Sequence, residues 1–297
     1  MNWNQLVLGL CGLLVSVSSF GQNNLLNART PDEIGTPTRA EVVYGKNDPL
    51  EYGYVDQRDI LWAKSTWEVI DLDERVNFPL YYPIDTNQIG SSRRSLYDVL
   101  VSGIKSGKIK NIYADSYFND KRTLQDISAA LSKVDTTDLG IEQYNAGEEI
   151  DPQYISRRDI SSADIAEYRI RGQWYFDKRQ AELKYRLLGI APVAPDVNFI
   201  DEGGASALVE LFWVWFPGAR EVLNESYAFN RENSSNPVSF DHLLNARRFN
   251  AVIYAEDNVQ GNRQVNEYIS NNAFMQLLES QRIKEQIRDF EQDMWNY

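Results

Sequence analysis

Tyr168, Ile170, Trp174 and Phe176 alternate with Arg169, Arg171, Gln173 and Tyr175. After the polar Asp177-Lys178-Arg179-Gln180 a second alternating run follows, with Ala181, Leu183, Tyr185 and Leu187 set against Glu182, Lys184 and Arg186. Successive side chains of a strand point to opposite faces, so two period-two runs about a short polar turn specify an antiparallel hairpin. A lone hairpin is marginal in water, and the apolar face of this one must meet a second layer. Helical signals supply candidates for that layer. Leu96, Val99, Leu100, Val101 and Ile104 recur at near-helical spacing between Ser95 and Gly107, and Thr123 to Val134 reads as a second helix. From Asn272 to Trp295, Leu277, Leu278, Ile283, Ile287, Phe290 and Met294 fall on one stripe of an amphipathic C-terminal helix. Ile109 to Ala114 reads as a short strand, and Leu208 to Phe216 as a buried central strand or one shared with a partner. The fold class that accommodates these elements is α+β.

An internal match refines the architecture. At an offset of 141 residues Ile112-Tyr113-Ala114-Asp115 falls on Ile253-Tyr254-Ala255-Glu256, and without a gap Arg122 falls on Arg263, Leu124 on Val265 and Asp126 on Glu267. Upstream, Ser95-Leu96 and Ser239-Phe240 each open an apolar helix. This pattern suggests a strand–helix–strand–helix duplication in two lobes, residues 49–140 and 201–297, joined by a linker and the central hairpin over residues 141–200. The segment from Gln22 to Asp48 is rich in Asn, Thr, Pro and Gly and has no sustained period, so it reads as a flexible leader or an arm.

The stretch Asp59 to Pro83, DILWAKSTWEVIDLDERVNFPLYYP, packs apolar and aromatic residues around the acidic interruption Asp71 to Glu74. Trp62 to Leu72 reads as a core strand. In Phe78-Pro79-Leu80-Tyr81-Tyr82-Pro83 the two prolines are expected to hold an aromatic patch in an extended form. This block resembles the signature of the GldN/PorN family, with an Asp-hydrophobic-hydrophobic-Trp start leading through Trp-x-Val-Ile-Asp-Leu to Pro-Leu-Tyr-Tyr-Pro. Further similarity lies in Leu183-Lys184-Tyr185-Arg186-Leu187-Leu188-Gly189-Ile190-Ala191-Pro192 and in Glu210-Leu211-Phe212-Trp213-Val214-Trp215-Phe216-Pro217. The resemblance implies a non-enzymatic structural subunit of a periplasmic ring complex of the type IX secretion system, supporting secretion and gliding motility. The partners it implies are a GldK/PorK-like outer-membrane lipoprotein, a GldM/PorM-like inner-membrane motor component and further copies of the chain. On that reading Leu80, Tyr81, Tyr82, Trp213, Trp215 and Phe216 are the expected contact residues, since aromatic anchors dominate interfaces.

The ends of the chain fit export. An apolar run from Leu6 to Val17 followed by small residues has the length of a secretory signal, and Ser19 and Gly21 mark a cleavage site before Gln22, giving a signal peptide over residues 1–21. No Lys or Arg precedes Arg29, which departs from the usual positive start. Cys11 lacks the small preceding residue that lipidation wants, and it is the one cysteine, so a mature chain would have no disulfide. No later apolar run approaches the length of a membrane span. A net charge of −13 disfavours nucleic acid and anionic headgroups.

Catalytic constellations are sparse. His242 is the one histidine, sits in an apolar helix and reads as a partly buried structural imidazole. Cys–His nucleophilic sites and His-based zinc sites are therefore excluded, and no Gly-x-Ser-x-Gly elbow accompanies His242. Asp71, Asp73 and Glu74 lack the Gly and Glu that a calcium loop requires and read as a charged turn, and Gly203-Gly204-Ala205-Ser206 reads as a hinge or turn. No metal or cofactor is expected. Carboxylate-only chemistry needs just two acids, and 43 are present, so a secreted glycan-binding protein or glycoside hydrolase stands as the alternative.

Overall fold

The computed structural model describes residues 49–85, 93–147, 149, 151–197, 207–229 and 238–295. The expected signal peptide, the leader and the Gly203–Ser206 loop lie outside the described residues. In chain order the strands are β1 (Ile60–Asp71), β2 (Ile112–Tyr113), β3 (Ser132–Thr136), β4 (Ile155–Asp159), β5 (Glu167–Asp177), β6 (Glu182–Pro195), β7 (Leu208–Glu210), β8 (Trp213–Trp215), β9 (Tyr227–Ala228), β10 (Val238–Ser239) and β11 (Val252–Glu256). The helices are α1 (Phe78–Tyr81), α2 (Leu96–Lys105), α3 (Leu124–Leu131), α4 (Asp138–Asn145), α5 (Phe216–Glu225), α6 (Phe240–Asn245), α7 (Val265–Tyr268) and α8 (Ala273–Trp295).

The central hairpin is the spine. β5 and β6 pair from Asp177↔Glu182 to Glu167↔Val193, with one register shift at Arg171/Gly172. Around them the main sheet runs β11-β1-β5-β6-β8-β2, every neighbour antiparallel, and β7 adds to β6. Tyr168 and Ile170 face a core built with Ile70, Leu100, Val214, Phe216, Leu223 and Phe240, so α2, α5 and α6 supply the layer that the hairpin requires. A smaller cluster at the β11 end joins Ile253, Val265, Ile283 and Ile287, with Trp62 and Trp174 against it.

The fold is mixed α+β, as expected, but the expected lobes share one sheet. β11 of the second half pairs with β1 of the first, and β8 of the second pairs with β2 of the first, so no lobe boundary crosses the sheet. The strands of the internal match, β2 and β11, stand at the two ends of the strand order. Each follows a helix capped by a serine whose Oγ accepts a third-residue N–H, Ser95 from Asp98 and Ser239 from His242. Each of those helices ends in a left-handed residue, Gly107 at φ 72° and Arg247 at φ 50°.

Several boundaries differ from the sequence reading. Phe78–Pro83 is not extended, since Phe78–Tyr81 is one helical turn with Pro79 in its first positions, where a missing N–H costs nothing. The run Leu208–Phe216 is not one central strand: it breaks into β7 and β8, and Phe216 begins α5, again with a proline in the first turn. The helix expected over Thr123–Val134 stops at Leu131 and the chain turns into β3, which pairs β4 in a separate two-stranded ribbon.

Candidate functional site

The six expected contact residues divide by burial. Leu80, Trp213 and Phe216 are each 0% exposed. Leu80 and Phe216 belong to the main core, and the Trp213 indole N–H donates to Glu210 Oε2 at 2.6 Å. These three are buried within the protomer itself. The reason is helical geometry: a one-turn α1 sends Leu80 inward while its neighbours stay out.

Tyr81, Tyr82 and Trp215 remain accessible in part. Tyr82 is 45% exposed and packs edge-on against Phe78 at 5.5 Å and Tyr81 at 4.8 Å. The Tyr81 hydroxyl donates to the Ala163 carbonyl at 3.2 Å, and burial pushes its pKa up. Phe78, itself 37% exposed, completes a small aromatic patch beside the acidic turn. In that turn Asp71 Oδ1 accepts the Asp73 N–H and Glu74 accepts from Asn250. Trp215 lies half-buried against Phe118, with ring centres 4.8 Å apart.

The sheet face opposite the main core carries a constellation that the sequence reading did not single out. Arg171 of β5 lies over Trp67 at 4.9 Å, Tyr117 at 5.3 Å and Phe118 at 5.7 Å, and its Nη1 donates to the Ser116 carbonyl. Burial lowers its pKa. Close by, Arg169 bridges Glu167 at 3.1 Å and Glu210 at 2.7 Å under the Tyr254 ring. The alternation of Arg169 and Arg171 with Tyr168 and Ile170 was legible; that these arginines would meet aromatic partners from three other segments was not.

Two further arginines, Arg220 buried and Arg247 partly so, tie distant segments together. Arg247 donates to both oxygens of Glu68, at 3.2 and 2.6 Å, and stacks on Tyr185 at 4.1 Å. Burial opposes its cation, yet Glu68 and Tyr185 outweigh it and hold the guanidinium pKa above its ordinary value. Arg220 makes a bidentate pair with Asp241 at 2.7 and 2.9 Å and covers the Tyr52 ring at 4.0 Å. Arg186 covers the same ring at 4.7 Å and donates to the Gly53 carbonyl, and Arg179 donates to that of Tyr54. A cavity of about 270 Å³ lies between this strap and the tip of β5–β6. Arg179 and Arg186 are engaged with carbonyls of residues 53–54 and Lys184 with Glu182, so the arrangement fits anchoring of the chain more than capture of a ligand.

Nothing in this geometry arranges a nucleophile, a base and an orienting group together. His242 is exposed on α6, contrary to the partly buried position expected for it. Among the described residues no group of three His, Cys, Asp or Glu could hold a metal ion, and no helix is long and apolar enough to cross a membrane. The geometry consists of aromatic patches, stacked arginines and a projecting ribbon. The model of a family described as gliding motility associated protein GldN matches residues 55–296. No curated protein matches.

Proposed function

The chain belongs to the GldN family, whose members are structural and non-catalytic, and on that premise we propose that it is a ring subunit of the periplasmic type IX secretion machinery. In this reading a GldK/PorK-like lipoprotein holds it at the outer membrane, a GldM/PorM-like component contacts it from the inner membrane, and further copies complete the ring. The observation that carries the reading is the family match over nearly the whole chain. Exposed aromatics with no catalytic grouping beside them support it. The contact residues narrow to Tyr81, Tyr82 and Trp215.

We further read the two halves as related. Phe78-Pro79 and Phe216-Pro217 both open helices, Ser95 and Ser239 both cap the next helix, and the Ile-Tyr-Ala-acid strands occupy the two ends of the sheet. β11 of the second half pairs with β1 of the first, and β2 of the first with β8 of the second, a mutual pairing that supports a duplication with exchanged strands.

Replacing Tyr81 and Tyr82 by Ala is expected to weaken assembly with the lipoprotein while the melting transition of the isolated chain stays within a few degrees. Size measurement of the mature chain with and without that partner checks it. A loss of folding with no separate assembly defect would assign the patch to the core. A chain that stays monomeric in both mixtures and binds oligosaccharide would sink the ring reading.

A further inference from the structure

One element of the fold buries little of itself. β3 and β4 form a five-residue ribbon, Ser132↔Asp159 to Thr136↔Ile155, and α4 sits at its far end. In α4 only Gly140 is buried, while Leu139 is 56%, Ile141 47% and Tyr144 70% exposed. Three large apolar side chains on a helix of eight residues, left open to water, mark a surface that a partner covers.

Charge indicates which partner. Thr137 to Asp151 contains five acids and no Lys or Arg, and Asp138, Glu142, Glu149 and Asp151 are exposed. Within the ribbon Lys133 pairs with Asp135 and Arg157 with Asp159. The chain as a whole carries −13, yet one region inverts that sign. Lys105, Lys108, Lys110, Lys121 and Arg122 are exposed there, beside Leu124, which is 51% exposed. Of the acids in that stretch, Asp115 accepts the backbone N–H groups of Tyr117 and Asn119, Asp120 is exposed, Asp126 accepts the Thr123 N–H and hydroxyl in the cap of α3, and Glu225 pairs with Lys108. The basic region surrounds the outer end of β2, where the Arg122 N–H donates to the Ile112 carbonyl.

The two regions lie at opposite ends of the α2–α3 layer. α2 starts beside the ribbon base, Ser95 Oγ standing 2.6 Å from Ser162 Oγ and the Tyr97 hydroxyl donating to the Ile160 carbonyl, and it ends at Lys105. α3 runs the other way, from Thr123 to Leu131, whose carbonyl accepts the Ile160 N–H. Ten helical residues span about 15 Å and five strand residues about 16 Å. The base of the ribbon therefore stands more than one screening length from the basic end of its own chain.

We propose that the acidic cap of one copy, carried by Asp138 and Glu142 with Leu139, Ile141 and Tyr144 of α4, docks on the basic end of the next, formed by Lys105, Lys110, Lys121 and Arg122 around Leu124. The contact is heterologous, so repetition generates a ring or a filament instead of a closed pair. The inference deepens the ring-subunit reading and rests on it for closure. Leu139, Ile141 and Tyr144 supply apolar area, and the charges set register and direction.

The test uses the full mature chain in sedimentation velocity at low and high salt. Wild type should self-associate in a concentration-dependent way that high salt weakens. A cap reversal, Asp138→Lys with Glu142→Lys, and a base reversal, Lys110→Glu with Lys121→Glu, should each weaken self-association by about tenfold or more. An equimolar mixture of the two should regain it, because both junctions are again complementary. Association untouched by either reversal and by salt overturns the proposal. A wild-type chain that is monomeric alone yet binds the lipoprotein also overturns it and leaves the ring-subunit reading standing. A cap reversal that abolishes lipoprotein binding while self-association persists assigns the cap to that partner and overturns the docking between copies.

Discussion

At the scale of single residues, the fold leans on a few buried charges that join distant segments. Glu68 is fully buried in β1, accepts from Thr66 and is neutralised by Arg247, which comes from the loop after α6. Replacing Glu68 by Ala leaves the Arg247 guanidinium, 24% exposed, without its counter-ion. A loss of about 1–3 kcal/mol is expected in chemical denaturation, and an unchanged stability would mean that the ion pair contributes nothing net. Glycine is needed where the hairpin is most crowded. A Cβ at Gly172 would stand 2.0 Å from the Tyr185 hydroxyl, and one at Gly189 2.4 Å from the Phe118 ring. None of this was legible in sequence. Glu68 falls in a β-favouring run with nothing to mark it as buried, and its partner lies 179 positions away.

At the scale of elements, the amphipathic C-terminal helix was legible as a helix but only partly as a packing face. Ile283 and Ile287 pack as the stripe requires, and Phe290 stacks on Trp62 with ring centres 4.7 Å apart. Leu277 and Leu278, by contrast, are 53% and 47% exposed. What fixes α8 is the edge of the sheet: Ser280 Oγ accepts the Ile253 N–H of β11 at 2.8 Å, and Lys284 donates to the Ala251 carbonyl. A helix so placed satisfies backbone groups that an open edge strand would offer to another chain. Ser280→Ala should cost about 1–3 kcal/mol and speed hydrogen exchange at the Ile253 amide, because a buried N–H loses its acceptor. Unchanged exchange there would show that the edge is closed by apolar cover alone. Element type was read well where periodicity was long, as in β1, β5, β6, α2 and α8. It failed at Phe78–Tyr81 and at Phe216, where proline opens a helix instead of blocking one.

At the scale of the whole molecule, the two halves are interwoven. The hairpin turn at Lys178–Ala181 divides the chain at an exposed point, with Ala181 in a left-handed conformation at φ 53°. Yet β1 needs β11 and β2 needs β8, so each half lacks partners for its own edge strands. Residues 49–179 and 180–297 expressed apart are expected to lack a cooperative thermal transition singly and to recover one on mixing, as followed by circular dichroism. A half that folds alone would restore the picture of two separate lobes.

Local pattern alone determined the central hairpin, the helices with long apolar periods, the α+β class and the family resemblance. These depend on side-chain alternation and residue order, which the chain carries wherever it lies in space. Tertiary structure alone decided which apolar residues are core and which are surface, since Leu80 faces inward from the single turn of α1 while Tyr82, the extended residue just after it, stays exposed. It also decided that β11 pairs with β1 and β2 with β8, because pairing between residues far apart is selected by the packing of the entire sheet and leaves no local trace.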